Sequence, residues 1–303
     1  MKSTRLFWIL IWFVLFPACH KNSNQESKSK DSVPIFKAEK GMEKEFAHIV
    51  VPEKLNSLHK DDFPWGGVVS HHGVTAKLLD DYFCTLSKTR NVKNFYILSP
   101  SHFGFSKYYA SLTTGSWETE YGIVESNALT TKNLCEALGV PLDDKPFYIE
   151  HGVWTLLPFV KKYFPDAKVT AILYDVVNSF SGAKIKNFAE IISAHFIQNG
   201  HPDNDENFFL VSADFSHYAN LETTLTRDKR SAEFFLQPKV VSPWQVTCDN
   251  TPAILTFQKL ATNKTKVITI YQTHCLFILP YETDPNDITS YFFSFFCDEQ
   301  SIH

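Results

Sequence analysis

The sequence predicts an α/β fold, namely a single three-layer αβα domain with a mostly parallel or mixed central sheet. Short apolar segments typical of buried strands alternate with segments whose apolar residues recur at helical spacing. The 303-residue chain is 44% hydrophobic and contains 27 phenylalanines, which is enough apolar material for one large core. No change of composition typical of a linker interrupts residues 46–303, so we expect one α/β domain over that range.

The individual elements follow from local patterns. The predicted strands are short apolar runs, at Phe63–Ser70, Asn94–Ser99, Lys168–Tyr174, Asn207–Ser212, Lys266–Tyr271 and Ser290–Phe296. Two predicted helices, Thr75–Leu86 and Ile185–Phe196, have an apolar face, and a third, Thr251–Leu260, has proline at its first turn. Strands separated by helices favour a sheet that is covered by helices on both faces.

The N-terminus has the pattern of a lipoprotein signal peptide over residues 1–18. Lys2 and Arg5 precede an apolar run of eleven residues, Leu6–Phe16, which is shorter than the roughly 20 residues of a membrane-spanning helix. The following Pro17-Ala18-Cys19 resembles a lipobox, so we expect lipidation of Cys19; an ordinary signal peptide is the alternative. The predicted location is that of an exported, membrane-anchored bacterial lipoprotein on the periplasmic side or the cell surface.

The polar segment that follows predicts a flexible tether over residues 19–45. Six cysteines occur in the chain, and acylation of Cys19 would leave an odd number, so at least one thiol is expected to stay unpaired. A net charge of −4 with mixed signs and no basic stripe argues against a nucleic-acid partner.

Histidines follow three of the predicted strands, at the point where each strand ends. His71 follows the first, His102 the second and His217 the strand Asn207–Ser212. Ligands bind beyond the carboxyl ends of strands in open α/β sheets, so these imidazoles are expected at one edge. A lone histidine is usually structural, but this recurrence favours a functional site, and histidine is the commonest metal ligand. Six other histidines are interpreted as structural or surface residues: His20, His59, His72, His195, His201 and His274.

Two further segments carry chemically suitable residues. Glu150-His151 forms a fourth polar cluster. Cys248 lies directly before the predicted helix Thr251–Leu260, where the helix dipole favours a thiolate that could bind metal or act as a nucleophile; a small buried residue is an equal alternative. The sequence has no G-x-S-x-G elbow, H-E-x-x-H motif, Walker loop or dinucleotide fingerprint, so those enzyme classes are disfavoured.

These segments, in this order, resemble the Memo family, also called AmmeMemoRadiSam system protein B. The family's blocks P-H-A-G, G-P-S-H, E-H-S-I-E…L-P, S-S-D-F-S-H and C-G have counterparts here: SHHG at 70–73, SPSH at 99–102, EHGV at 150–153 with Leu157-Pro158, SADFSH at 212–217, and Cys248. Trp117-Glu118-Thr119 with Gly122 is similar to the family's W-x-T-P-x-G. The resemblance covers roughly residues 64–297.

The resemblance implies a fold similar to class III extradiol dioxygenases, which use non-haem iron, and it implies that His71, His102 and Cys248 are metal ligands. In the dioxygenases a carboxylate occupies the place of Cys248. Two imidazoles and a carboxylate suit iron(II), whereas a thiolate is softer and favours copper or zinc. We therefore expect one transition-metal ion, iron or copper, with zinc as a further alternative.

The resemblance also implies catalytic roles. His217 would be the acid–base or substrate-facing imidazole, Asp214 would orient it, and Glu150 and His151 would line the same pocket. Three departures from the family pattern affect this pocket: Ser70 and His72 replace Pro and Ala, Trp154 replaces the second acidic residue of its block, and no S-H-A-G-S-W-Y-type segment precedes Pro64.

Two hypotheses follow. The first is a Memo-like metal-dependent redox or dioxygenase-like enzyme, with metal at the strand carboxyl ends. The second is a non-enzymatic copper- or ligand-binding surface lipoprotein that uses the same pocket. The expected partners are a small-molecule or peptide ligand and a membrane reached through the lipid anchor. A radical-SAM partner is not expected, because that oxygen-sensitive chemistry takes place in the cytoplasm.

Overall fold

A computed structural model describes residues 33–59, 61–198 and 206–298. Its strands, in chain order, are β1 Ile35–Lys37, β2 Pro64–Val69, β3 Asn94–Pro100, β4 Ala110–Leu112, β5 Ser116–Thr119, β6 Gly122–Val124, β7 Lys168–Tyr174, β8 Asn207–Ser212, β9 Phe215–Ala219, β10 Thr265–His274 and β11 Ile288–Asp298. Its α-helices are α1 Met42–Glu45, α2 Ala76–Ser87, α3 Ala128–Leu138, α4 His151–Trp154, α5 Leu157–Tyr163, α6 Gly182–Gln198, α7 Leu221–Leu236, α8 Thr251–Leu260 and α9 Cys275–Ile278. The predicted signal peptide and Cys19 lie outside the described residues.

The main sheet is mixed, with a parallel centre. Its strand order is β10-β11-β2-β8-β3-β7-β4, and β9 pairs with β11 off this path. The four central strands β2, β8, β3 and β7 run parallel, while β4, β9, β10 and β11 pair antiparallel. This arrangement confirms the predicted α/β class with a mixed sheet.

Helices cover both faces of the sheet, because side chains of its buried strands alternate between two apolar clusters. Phe95 and Ile97 of β3 belong to the cluster that includes α2 and α5. Tyr96 and Leu98 of the same strand belong to the cluster that includes α3, α6, α7 and α8. Since the side-chain period of a strand is two, a strand that is apolar throughout feeds both cores, and this produces the three layers.

The folded part begins earlier than the predicted boundary at residue 46. Strand β1 pairs in parallel with β5, which pairs with β6, so the three form a small second sheet. Phe36 and Met42 are each 1% exposed. Residues 33–45 are therefore part of the domain rather than of the predicted tether. The sequence did not reveal this, because Phe36 and Met42 lie in a segment that is otherwise rich in polar residues.

Several elements were not predicted, including α3, α7 and β9. The buried face of helix α7 includes the polar residues Thr224, Asp228 and Ser231, so it lacks a continuous apolar stripe, and β9 follows β8 after only two residues. None of the five cysteines in the described part of the chain forms a disulfide. Within that part, no helix is both long enough and apolar enough to cross a membrane.

Candidate metal centre

Three neighbouring strands bring the predicted histidines together. Because β2, β8 and β3 are adjacent and parallel, the segments that follow them meet at one edge of the sheet. The rings of His71, after β2, and His102, after β3, have centroids 4.9 Å apart. The side chain of His71 is 1% exposed and that of His102 is 21% exposed.

A hydroxyl orients the ring of His71. Ser212 Oγ donates its hydrogen to Gly152 O at 2.6 Å and lies 3.0 Å from His71 Nδ1. Since a hydroxyl has a single hydrogen, the contact with His71 requires Nδ1–H to donate to Ser212 Oγ. The Nε2 of His71 is therefore the nitrogen that faces the other site residues.

A carboxylate orients the ring of His102. Glu150 Oε1 accepts from His102 Nδ1 at 2.6 Å, and its Oε2 accepts from the backbone N–H of His102 at 2.9 Å. Glu150 also caps helix α4 by accepting from Gly152 N at 2.9 Å, and it is 1% exposed. A carboxylate that holds one nitrogen of a histidine while the other faces a site is the usual support of a metal-ligating histidine.

Asp249 is the acidic residue at the centre of the cluster, and its importance was not predicted. Its Oδ2 lies 3.2 Å from Nε2 of His71 and 3.5 Å from Nε2 of His102. The Nε2 of His217 lies 3.6 Å from the same oxygen. The other oxygen, Oδ1, accepts from the backbone N–H of Asp214 at 3.1 Å, which fixes the carboxylate group.

Cys248, the predicted third metal ligand, is not in this cluster. Residues 247–249 run antiparallel to residues 214–216, with a β-bridge between Cys248 and Phe215. Successive side chains of an extended segment point to opposite sides, so Cys248 packs against an apolar cluster while Asp249 faces the histidines. Burial, followed by the neighbouring charge of Asp249, raises the pKa of the Cys248 thiol.

His151 lies where it was predicted, beside the ligand candidates. Its ring stacks on that of His102 with centroids 4.3 Å apart and meets His71 edge-on at 5.1 Å. Burial and the charges of His71 and His102 lower the pKa of His151 to about 4, so its ring is neutral near pH 7.

Asp214 and His217 are also at the site, and their polar atoms are incompletely satisfied. Both carboxylate oxygens of Asp214 and the Nε2 of His217 are buried without a hydrogen bond among the described residues. Asp214 Oδ2 lies 3.4 Å from His72 Nδ1 and 3.7 Å from His71 Nε2. The predicted contact by which Asp214 would orient His217 is not among these.

The backbone around His217 is strained. Ser216 has φ 27° and Tyr218 has φ 53°, in the left-handed region that residues other than glycine rarely adopt. Such conformations cost about 1–3 kcal/mol each and concentrate at functional sites. The strain lies on both sides of the residue whose imidazole faces Asp249.

His72, interpreted as a structural or surface residue, borders the site: its side chain is 42% exposed and its Nδ1 lies 3.4 Å from Asp214 Oδ2. Its Nδ1 lies 3.0 Å from the hydroxyl of Tyr291, which the sequence did not single out.

The charges of the cluster strongly affect one another. Burial alone would lower the pKa of His71 and of His102, but neighbouring carboxylates outweigh it, raising the pKa of His71 and taking that of His102 to about 10. Burial would raise the pKa of Asp249, but the charge of His71 and hydrogen bonds from the histidines hold it well below its usual range. A carboxylate surrounded by imidazoles is thus the central electrostatic feature.

Two groups of three residues have ligand atoms close enough to share one ion. In each group the ligand atoms lie within 4.8 Å of one another: His71, His102 and His151 in the first, and His71, Asp214 and Asp249 in the second. His71 belongs to both groups. Metal ligation by His71 and His102 stays a prediction. The distances between their ring nitrogens favour it.

The fold and site define a class of α/β protein with a histidine–carboxylate cluster, suited to a metal ion, at the carboxyl edge of a mixed sheet. A sequence model of the family described as Memo-like protein matches residues 67–243, more than half of the chain. The chain belongs to the Memo-like family.

Proteins that are similar to this chain carry the same family name. The chain is 31% identical over 134 residues to a MEMO1 family protein of Metallosphaera sedula, covering 44% of this chain and 45% of the relative. It is 26% identical over 184 residues to a MEMO1 family protein of Pyrobaculum arsenaticum, covering 60% and 63% respectively. A MEMO1 family protein of Caldivirga maquilingensis is 27% identical over 146 residues, covering 48% and 49%. The chain thus matches between about half and just under two thirds of the length of these relatives.

Proposed function

We propose that the protein binds one transition-metal ion at the edge of its sheet and acts as a metal-dependent redox or dioxygenase-like enzyme. The observation that carries this proposal is the convergence of the Nε2 atoms of His71 and His102 on a shared carboxylate oxygen. Their Nδ1 atoms are held by Ser212 and Glu150, which leaves Nε2 of each ring for an ion.

The donor set fits such an ion. Imidazole nitrogen and carboxylate oxygen are ligands that iron and zinc accept, and imidazole is also a copper ligand. The oxygens of Asp214, buried and without a hydrogen bond among the described residues, agree with a cation nearby. A bound iron or copper ion would supply one-electron chemistry, which ordinary side chains lack.

The chain's own residues would complete the site. His217 is proposed as the acid–base group, since its Nε2 is buried and faces Asp249 while its Nδ1 lies 3.4 Å from Thr289 Oγ1. His151, which is neutral near pH 7, would contact a bound ligand. The exposed Phe103, whose ring centroid is 5.8 Å from that of His151, gives the site an apolar border.

Metal analysis of purified variants tests the metal site. We expect the wild-type protein to contain close to one equivalent of iron, copper or zinc, and His71→Ala and His102→Ala to lose most of it. His48→Ala is the matched control, because His48 is exposed and pairs with Glu282. Unchanged metal content in both site variants would contradict the proposal.

A non-enzymatic function is the second candidate, supported by the predicted export signal, since an exported protein has fewer partners that recycle cofactors. In this case the same pocket would bind copper or a small-molecule or peptide ligand at the membrane surface, with the lipid on Cys19 as anchor. Oxygen consumption with a panel of catechols separates the candidates. Turnover that His217→Ala abolishes supports the enzyme, whereas tight copper binding without turnover supports the binding protein.

A further inference from the structure

We propose that the carboxylate of Asp249, rather than the thiolate of Cys248, is the third protein ligand of this centre. The inference rests on the proposed metal site and specifies its chemistry. The two residues are adjacent in sequence, yet the structure gives them opposite surroundings.

The position of Asp249 supports ligation. Ligand atoms that share one ion at about 2.1 Å lie about 3.0–3.4 Å from one another. Asp249 Oδ2 lies 3.2 Å from the Nε2 of His71 and 3.5 Å from the Nε2 of His102, so small movements suffice. It also belongs to the second group of close ligand atoms, with His71 and Asp214.

The anchoring of Asp249 supports the same conclusion. Its Oδ1 accepts from Asp214 N, which leaves Oδ2 directed at the imidazoles. The next residue, Asn250, is fully buried and donates to Leu98 O of β3 at 2.9 Å and to Ser212 O of β8 at 2.8 Å. Asn250 therefore ties the segment carrying Asp249 to the two strands whose ends support His102 and His71.

The surroundings of Cys248 argue against ligation. Its side chain packs with the apolar cluster that contains Phe215 and Phe234. For its sulfur to join the cluster, the segment paired with residues 214–216 would have to rotate, which would break the hydrogen bond from Asp249 N to Asp214 O. The C-G pattern of the resemblance has glycine where this chain has Asp249.

The consequence is a harder donor set. Two imidazoles and a carboxylate favour iron(II), manganese(II) or zinc, whereas a thiolate would shift the preference towards copper(I). On this proposal the chain keeps the family's histidines but changes the third donor from sulfur to oxygen.

Cobalt substitution distinguishes the two ligands. The full-length protein is stripped of metal, titrated with Co(II) and examined by optical and X-ray absorption spectroscopy. We expect binding without a sulfur-to-cobalt charge-transfer band and without sulfur in the coordination shell. Cys248→Ala should keep both the spectrum and the affinity, while Asp249→Asn should weaken Co(II) binding about tenfold or more.

Controls separate folding from ligation. Asp81→Asn, at a partly exposed aspartate that contacts Lys54 and Tyr271, serves as the matched control. If Asp249→Asn does not fold, the spectra of the wild type and of Cys248→Ala still decide the ligand. A charge-transfer band that Cys248→Ala removes would overturn the inference and leave the metal site standing. If the wild type binds neither cobalt nor a native metal, the proposed function itself fails.

Discussion

Asp249 and Asp228 are both largely buried aspartates, but their charges meet opposite environments. Asp249 faces imidazole nitrogens that hold its pKa well below the usual range, despite burial. Asp228 is 3% exposed and accepts a hydrogen bond from Ser290 Oγ at 2.6 Å, and burial raises its pKa to about 6. One hydroxyl offsets burial far less than several imidazoles do. In this protein the aspartate that imidazoles surround thus stays charged at low pH, whereas the one held by a single hydroxyl takes up a proton.

The largest expected effect is that of removing the charged member of the cluster. We expect Asp249→Ala to lower the free energy of unfolding of the metal-free protein by about 3–5 kcal/mol at pH 7, because His71 and His102 lose their shared partner. Urea unfolding in the presence of a chelator measures this. A loss below about 1 kcal/mol would contradict the idea that Asp249 stabilises the fold as the shared charged partner of His71 and His102.

Removing the charge of Asp228 should instead raise the free energy of unfolding, by an amount that depends on pH. Its folded pKa of about 6 lies above the value of an unfolded aspartate, so its contribution to stability is fully present below about pH 4 and is lost as pH rises through 6. Asp228→Asn keeps an acceptor for Ser290 but has no charge to bury. We expect the variant to gain up to about 3 kcal/mol relative to the wild type between pH 4 and pH 7.

Urea unfolding of both proteins across this pH range isolates the residue, because all other groups titrate in each. A stability difference that does not change with pH would mean that Asp228 ionises as an ordinary surface carboxylate does.

Glu150 provides the smallest of the three effects and concerns orientation rather than charge burial. Its oxygens accept from His102 at two atoms and from Gly152. Glu150→Gln brings an amide N–H against one of these donors, so we expect about 10–100-fold weaker metal binding with the fold retained. Competition with a metal indicator measures the affinity. Glu190→Gln, on the exposed side of α6, should leave it unchanged.

The strands and their terminal histidines were predictable because both are local features. The strand Asn94–Pro100 is buried at every position, and its centre, residues 95–98, is continuously apolar, as is typical of a buried parallel strand. The rule that sites form at the carboxyl ends of strands then located His71 and His102 without any knowledge of strand order.

The choice between Cys248 and Asp249 was not predictable, because it depends on pairing between distant segments. The bridge from Cys248 to Phe215 determines which of two neighbouring side chains faces the histidines. No local pattern encodes that register, and a shift of one residue would exchange the two. Strand β1 was missed for a similar reason, since Phe36 is buried by residues about 80 positions later in the chain, such as Trp117.

The hydrogen bonds of Asn250 indicate when the site forms during folding. Its hydrogen bonds join residues 152 and 38 positions away in sequence, and His102 and Asp249 are separated by 147 positions. Contacts of this separation form only after long loops have closed, so the ligands come together late and the unfolded chain holds them apart. A metal that binds here would therefore stabilise the native state alone. At a free concentration 100 times the Kd this amounts to about 2.7 kcal/mol, so the melting temperature becomes a direct report of occupancy.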